Sequence, residues 1–169
     1  MDHPIVNKVA NSKLITIDLE DFIPKGQRKI INISDWLFEG IILKEIDFNR
    51  KIAAHDWEQY LHTFVVIQPA TDAIVPNWAY LLLTTKLSGI AQKIVIGSRQ
   101  ELEESLLLES IKKTDFSDYT KKQIIIKGCS KTNISNNAYA LLIQQLKPLV
   151  KSMMFGEPCS NIPLYKHRN

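Results

Sequence analysis

The sequence predicts an α/β fold, a single domain over residues 1–169 built as a layered sandwich. Its mixed sheet combines a parallel βαβαβα part with an N-terminal β-hairpin. Three observations predict this. Three short, continuous apolar runs, "TFVVIQ" (63–68), "KIVIG" (93–97) and "QIIIKG" (123–128), have the character of strands buried on both faces. Each is followed by a longer helical pattern opened by a capping residue. Ahead of them, "LITIDLEDF" (14–22) and "KIINI" (29–33) flank "IPKGQR", whose Pro and Gly suit a turn between returning strands. Strands alternating with helices favour parallel neighbours joined by right-handed crossovers.

The elements follow in order. "LITIDLEDF" alternates apolar and polar residues, as a half-buried strand does. Ser34 is an N-cap candidate for a helix "DWLFEGIIL", with Asp35 in its first turn, where the helix dipole favours an acid. Asp47 caps "FNRKIAAHDWEQYL", in which Phe48, Ile52 and Trp57 roughly share a face. Asn77 opens "NWAYLLLTTKLSG", which ends at Gly89. Ser98 opens "RQELEESLLLESIKK", and Glu101 three residues on completes a capping box. Ser135 caps "NNAYALLIQQLKPLVKSMMF". Its stripe Tyr139, Leu142, Leu146, Leu149, Val150 and Met153 predicts a helix that kinks at Pro148 and continues to Phe155. Residues 156–169 read as an extended C-terminal tail. No internal repeat, linker or low-complexity segment is evident.

Composition narrows the function classes. The 169 residues, 45% hydrophobic and 23% charged, suit one domain with a core of its own. A net charge of +3 with scattered lysines falls short of the basic stripe of a nucleic-acid binder. The densest basic clusters are Lys112-Lys113, Lys121-Lys122 and Lys166-His167-Arg168. No apolar run reaches the roughly 18 residues of a membrane span, and the first residues lack a signal-peptide layout. The expectation is a cytoplasmic protein with neither nucleic acid nor membrane as partner, and without a structural disulfide.

In open α/β sheets ligands gather beyond the carboxyl ends of the strands. The loops there are Pro69-Ala70-Thr71-Asp72, Gly97-Ser98 and Gly128-Cys129-Ser130-Lys131. Parallel strands would place them on one rim. Thr71, Asp72, Ser98, Gly128, Cys129, Ser130 and Lys131 are therefore the candidate ligand-binding residues. Helix N-termini there attract anions and depress thiol pKa values. Cys129 is a candidate nucleophile or soft metal ligand, or a small packed side chain. Asp72 is a candidate base or ligand, or a turn cap. No phosphate-cradling glycine motif occurs. His55, toward the end of a predicted helix, is a further candidate metal ligand. His62 precedes a strand and so belongs to the opposite edge from Cys129.

Cys129 and Cys159 are the two cysteines of the chain. Cys159 completes the candidate metal set of Cys129, Cys159, His55 and Asp72. A helix from Ser135 to Phe155 would separate the cysteines by roughly 30 Å, so a shared site would need the flanking segments to double back, Pro148 to reverse the chain, or a second subunit to supply the partner. No C-x-x-C pair marks a self-contained zinc or iron–sulfur site.

The ordered stretches "IVNKVANSKLITIDLEDF", "DWLFEGIILKE", "DFNRKIAAHDWEQY", "ATDAIVPNWAYLLL", "IIIKGCSK" and "KSMMFGEPCSNIPLYK" resemble the bacterial DUF2480 family, a domain of unknown function, over essentially the whole length. The resemblance implies no assigned activity and no catalytic residues. It implies a loose association with gene neighbourhoods of iron–sulfur assembly.

Three readings stay open. The first is an accessory protein whose strand edge around Cys129 holds a small anionic ligand or a transition metal (zinc or iron), or accepts sulfur during cofactor assembly. The second is a thiol-dependent enzyme. Cys129 would attack an electrophile, backbone N–H groups of Ser130 and Lys131 would stabilise the oxyanion, and Asp72 would orient or deprotonate. The third is a homodimeric interaction module, with the tail "NIPLYKHRN" as the arm.

Overall fold

The computed structural model describes residues 14–128 and 132–167. The chain divides into two units. Pro24–Leu106 form one, the inserted unit; the described residues up to Ile23 and from Leu107 onward form the other, the split unit. In chain order the strands and helices are β1 (Leu14–Ile17), β2 (Arg28–Asn32), α1 (Glu45–Ala54), β3 (Phe64–Gln68), α2 (Asn77–Leu87), β4 (Lys93–Ile96), α3 (Arg99–Lys113), β5 (Gln123–Ile126), α4 (Asn136–Leu146), β6 (Ser152–Glu157) and β7 (Ser160–Lys166). Among the described residues no helix is long and apolar enough to cross a membrane.

The inserted unit holds a three-stranded sheet in the order β2-β3-β4, parallel throughout. Its central strand carries four buried residues in succession, Phe64 to Ile67, because both faces are covered. Val65 and Ile67 pack with Phe48 and Ile52 of α1 and with Ala79, Leu83 and Leu87 of α2. Phe64 and Val66 pack with Leu102 and Leu106 from the start of α3. Each such side chain taken fully out of water contributes about 1.5–3 kcal/mol.

The split unit holds a four-stranded sheet in the order β1-β5-β6-β7. The first three strands are parallel, and β7 returns antiparallel beside β6. Ile17, Ile124, Ile126 and Met153 pack with Leu107 and Ile111 from the end of α3 and with Ala138, Leu142 and Leu146 of α4.

The two units repeat one plan. Positions 48–97 and 107–156 correspond at a constant offset of 59, as from Phe64 to Gln123. The strand registers obey it: Phe64 lies opposite Lys93, and Gln123 opposite Ser152. So do the backbone bonds. The N–H of His62 donates to Ile90 C=O at 3.0 Å, and that of Lys121 to Leu149 C=O at 2.8 Å. Gln92 N–H donates to Thr63 C=O at 2.9 Å, and Lys151 N–H to Lys122 C=O at 2.8 Å. His62 and Lys121 even share the left-handed backbone, with φ of 56° and 60°. Asp56 and Asp115 cap the same short turn through the N–H groups of Glu58 and Ser117. The leading strands correspond at an offset of 14: Leu14 sits opposite Gln123 as Arg28 sits opposite Phe64. Asp18 and Asn32 there cap the next turn alike. An internal repeat is therefore present after all. Its plainest trace is N-x-A-Y-x-L-L, at Asn77–Leu83 and at Asn136–Leu142.

The α/β class holds, with parallel strand–helix units and both N-terminal strands in place. The finer picture changes. β1 and β2 do not form a hairpin with each other; each pairs in parallel with a more deeply buried strand of the same length, β5 or β3. The three apolar runs do not share one sheet, since β3 and β4 lie in one and β5 in the other. Nor is β4 buried on both faces; it is an outer strand, partly buried, with Ile96 exposed. "DWLFEGIIL" is not a helix. Glu39 and Gly40 take left-handed backbone, φ 50° and 75°, and Phe38 and Ile42 close a small antiparallel bridge. The last helix ends at Leu146 rather than continuing to Phe155. Pro148 has no N–H to donate and crowds the preceding turn, and the N–H groups of Leu149 and Val150 both turn back to Leu146 C=O. The extended segment from 156 is taken up in the sheet, where β7 pairs antiparallel with β6.

Candidate functional site

The carboxyl edge of the split sheet gathers chemistry from three strands. Asp18 follows β1, Lys127 and Gly128 follow β5, and Glu157 ends β6. Lys127 Nζ donates to Asp18 Oδ2 at 2.6 Å, and both side chains are partly buried. Burial pushes the Asp18 carboxyl up, but the Lys127 hydrogen bond, the Glu20 N–H and the Lys127 charge outweigh it and hold it below its ordinary value. The Asp18 hydrogen bond and charge hold Lys127 above its ordinary value, with smaller contributions from Glu157 and Glu20. Glu20 Oε1 accepts from both the N–H and the hydroxyl of Thr132 at 2.9 Å. The turn after β1 is thereby tied to the loop that leads into α4.

Two glycines let the backbones approach here. A Cβ on Gly128 would lie 3.1 Å from the Phe155 ring and 3.4 Å from Gly156 Cα. Gly156 has φ +126°, and a Cβ there would meet Ser160 O at 2.5 Å, so the β6–β7 turn needs glycine. That turn carries Cys159, exposed and free.

The continuous helix expected between the cysteines is not formed: α4 ends at Leu146 and the chain reverses past Pro148 into β6. β6 runs parallel to β5, with Ile126 opposite Phe155. The chain toward Cys129 and the turn bearing Cys159 leave adjacent strands at one edge, with no 30 Å helix between them. Cys129, Ser130 and Lys131 themselves lie outside the described residues. Gly128 stands where expected, at the end of β5.

The remaining candidates belong to the inserted unit. Thr71 and Asp72 are exposed in the loop after β3, and Ser98 follows the neighbouring β4. Ser98 is a cap: its hydroxyl receives the Glu101 N–H at 3.2 Å, and its own N–H donates to Glu101 Oε2 at 2.6 Å. His55 ends α1 inside an aromatic cluster, 4.9 Å from Trp36 and 4.7 Å from Trp57 between ring centres. Its Nε2 is 3.0 Å from the Tyr60 hydroxyl. Burial lowers its pKa, and the Asp56 charge opposes that only in part. Among the described residues no three His, Cys, Asp or Glu side chains converge as a metal site.

Sequence reasoning missed Asp18, Glu20, Lys127 and Glu157. The available signal was "IDLE" closing one strand and "KG" closing another. Nothing local says that these strands, more than a hundred residues apart in the chain, are neighbours.

No curated protein and no solved structure matches the chain. The profile of the family described as "Protein of unknown function (DUF2480)" matches residues 3–167, and the chain belongs to that family.

Proposed function

We propose that the chain is an accessory binding protein that holds a thiophilic transition-metal cation, zinc or iron, at the carboxyl edge of the split sheet. Cys129 and Cys159 would be the soft donors, with carboxylates of the same edge as hard ones. The observation that carries this reading is the parallel pairing of β5 with β6, which sends both cysteine-bearing segments off the same edge. Charge favours a cation over the small anion also expected from the sequence. Asp18, Glu20 and Glu157 face one described ammonium, Lys127, which is already paired with Asp18. A role in cofactor assembly would follow if the bound metal is passed on.

Cobalt(II) added to the reduced protein tests this, because thiolate ligation gives a charge-transfer absorption. The full chain should show the band, and Cys129→Ser and Cys159→Ser should each diminish it. A band absent from the native protein, or unchanged in both variants, would end the proposal.

A second reading, a homodimer through β7, has one observation in its favour. β7 is the outer strand of its sheet and leaves Ile162 66% and Leu164 46% exposed. Light scattering on Ile162→Lys/Leu164→Lys decides it; a dimeric native protein made monomeric would support it, and a native monomer would dismiss it.

A further inference from the structure

We infer that the opposite, strand-start edge of the split sheet is a second binding site, for a small anion carrying several phosphate charges. Basic residues that look scattered in the sequence meet there. Lys121 and Lys122 precede β5, Lys151 precedes β6, and His167 follows the antiparallel β7. Hydrogen bonds fix three of them side by side: Lys151 N–H donates to Lys122 C=O at 2.8 Å, and His167 N–H to Lys151 C=O at 2.9 Å. At a strand spacing of about 4.8 Å, that row spans roughly 10 Å. A cleft of about 570 Å³ opens beside it, lined by Lys121, Lys151 and His167 with the apolar Pro148, Leu149 and Val150. That volume is in the range of small-molecule sites, about 300–1,000 Å³. At the rim Tyr165 donates to or accepts from His167 Nδ1 at 3.1 Å, and Lys147 Nζ stands 5.8 Å from the centre of the Tyr165 ring.

Two facts separate this cluster from ordinary surface lysines. Among the described residues, none of Lys121, Lys122, Lys147, Lys151 and Lys166 forms an ion pair with a carboxylate. Their mutual repulsion is thus not offset within the described chain. The fold does not ask for them either. The corresponding positions of the inserted unit are His62 for Lys121, Thr63 for Lys122, Ser88 for Lys147 and Gln92 for Lys151, and the backbone bonds there are the same. Four lysines placed where the sister unit has none are best explained by what they bind.

The chemistry favours a compact phosphate-bearing ligand over a polymer. The donors are ammoniums, which hold phosphate as point charges. No arginine occurs among the described residues of the split unit, and the basic groups border a cleft rather than an extended track. This proposal is independent of the thiol edge and stands or falls without it.

Calorimetric titration of the full chain with inorganic tripolyphosphate tests the site. A single-stranded oligonucleotide and phosphatidylserine-containing vesicles form the comparison arms. Tripolyphosphate should bind at one site per chain. Lys121→Gln/Lys151→Gln should weaken it at least about tenfold, a loss of two charge contacts, with an unchanged circular dichroism spectrum and a melting temperature no lower than that of the native chain, since like-charge repulsion is relieved. Lys25→Gln/Lys86→Gln, equal in charge but in the inserted unit, should leave it unchanged. The site is refuted by no tripolyphosphate binding, by equal losses in the two double variants, or by Lys121→Gln/Lys151→Gln binding as the native chain does. Binding of oligonucleotide or vesicles in preference to tripolyphosphate refutes the small-anion assignment.

Discussion

The inserted and split units share a plan, and the places where they part company separate what the fold needs from what each unit does. Core positions are kept: Leu83 and Leu142, Leu87 and Leu146, and Ala79 and Ala138 are all fully buried. The polar edges are not. At the strand ends, Asn32 and Gln68 of the inserted unit stand where the split unit has the ion pair Asp18–Lys127. At the strand starts, neutral residues and His62 stand where the split unit has lysines. A residue that both copies keep is explained by packing or backbone geometry. One that a single copy has acquired needs another reason, and the split unit has most of those.

The equivalence of the cores is the first thing to break. Leu83→Ala and Leu142→Ala should each cost about 2–5 kcal/mol, since each empties a fully buried site, as read from urea unfolding. A cost below about 1 kcal/mol for either would mean that the paired positions do not do paired jobs.

The glycines closing the two sheets should then differ. In Gly156→Ala the new Cβ would meet backbone, Ser160 O at 2.5 Å, whereas in Gly97→Ala it would meet the Glu101 carboxylate at the same distance. Backbone cannot swing aside. Gly156→Ala should cost about 2–3 kcal/mol and Gly97→Ala about 1 kcal/mol, the latter largely a lost capping box. Thermal unfolding in parallel gives the order, and the reverse order would contradict the turn geometry.

Asp18→Asn makes the split unit resemble its sister at that position. The lowered Asp18 pKa contributes stability that is fully present above the usual aspartate value of about 3.9. That contribution is lost as pH falls through the lowered folded value. The variant should lose about 0.5–1 kcal/mol at neutral pH, because the pair is partly exposed, and should show a flatter acid limb. An unchanged acid limb would mean that Lys127 does not hold the carboxylate.

His55 gives the smallest effect. Its split-unit counterpart is Thr114, whose hydroxyl donates to Ser110 C=O at 2.8 Å. With its folded pKa lowered by burial, His55 contributes stability that is complete above about 6.5 and declines as pH falls toward the folded value. His55→Thr should remove that dependence. Nuclear magnetic resonance titration of the ring should place its midpoint below that of a free imidazole.

How much of this was legible in the sequence depends on range. The apolar runs that became β3 and β5 were plain, because strands covered on both faces are apolar without interruption. The run that became β4 was equally apolar but lies at the edge of its sheet, only partly buried, with Ile96 exposed. The Ser98–Glu101 box and the Ser135 cap were plain too, being local hydrogen-bonding patterns. The stripe through Pro148 misled because Leu149, Val150 and Met153 do face the same core as Leu142 and Leu146, but from a turn and a strand. A shared destination looked like a shared helix. The partner of β1 was out of reach, since Leu14 pairs with Gln123 across the whole inserted unit. The candidate edge shows the same division. Gly128 was legible from its own loop, while Asp18 and Glu20 arrive at that edge only through long-range pairing.

The central structural claim is that adjacent parallel strands β5 and β6 deliver both cysteine-bearing segments to one edge. A short homobifunctional thiol reagent, applied to the reduced monomer and read by mass spectrometry of the digest, tests it most directly. The account predicts a single-chain product in which one reagent molecule joins Cys129 to Cys159. Separate one-ended adducts on the two cysteines, with no bridge between them, would contradict it.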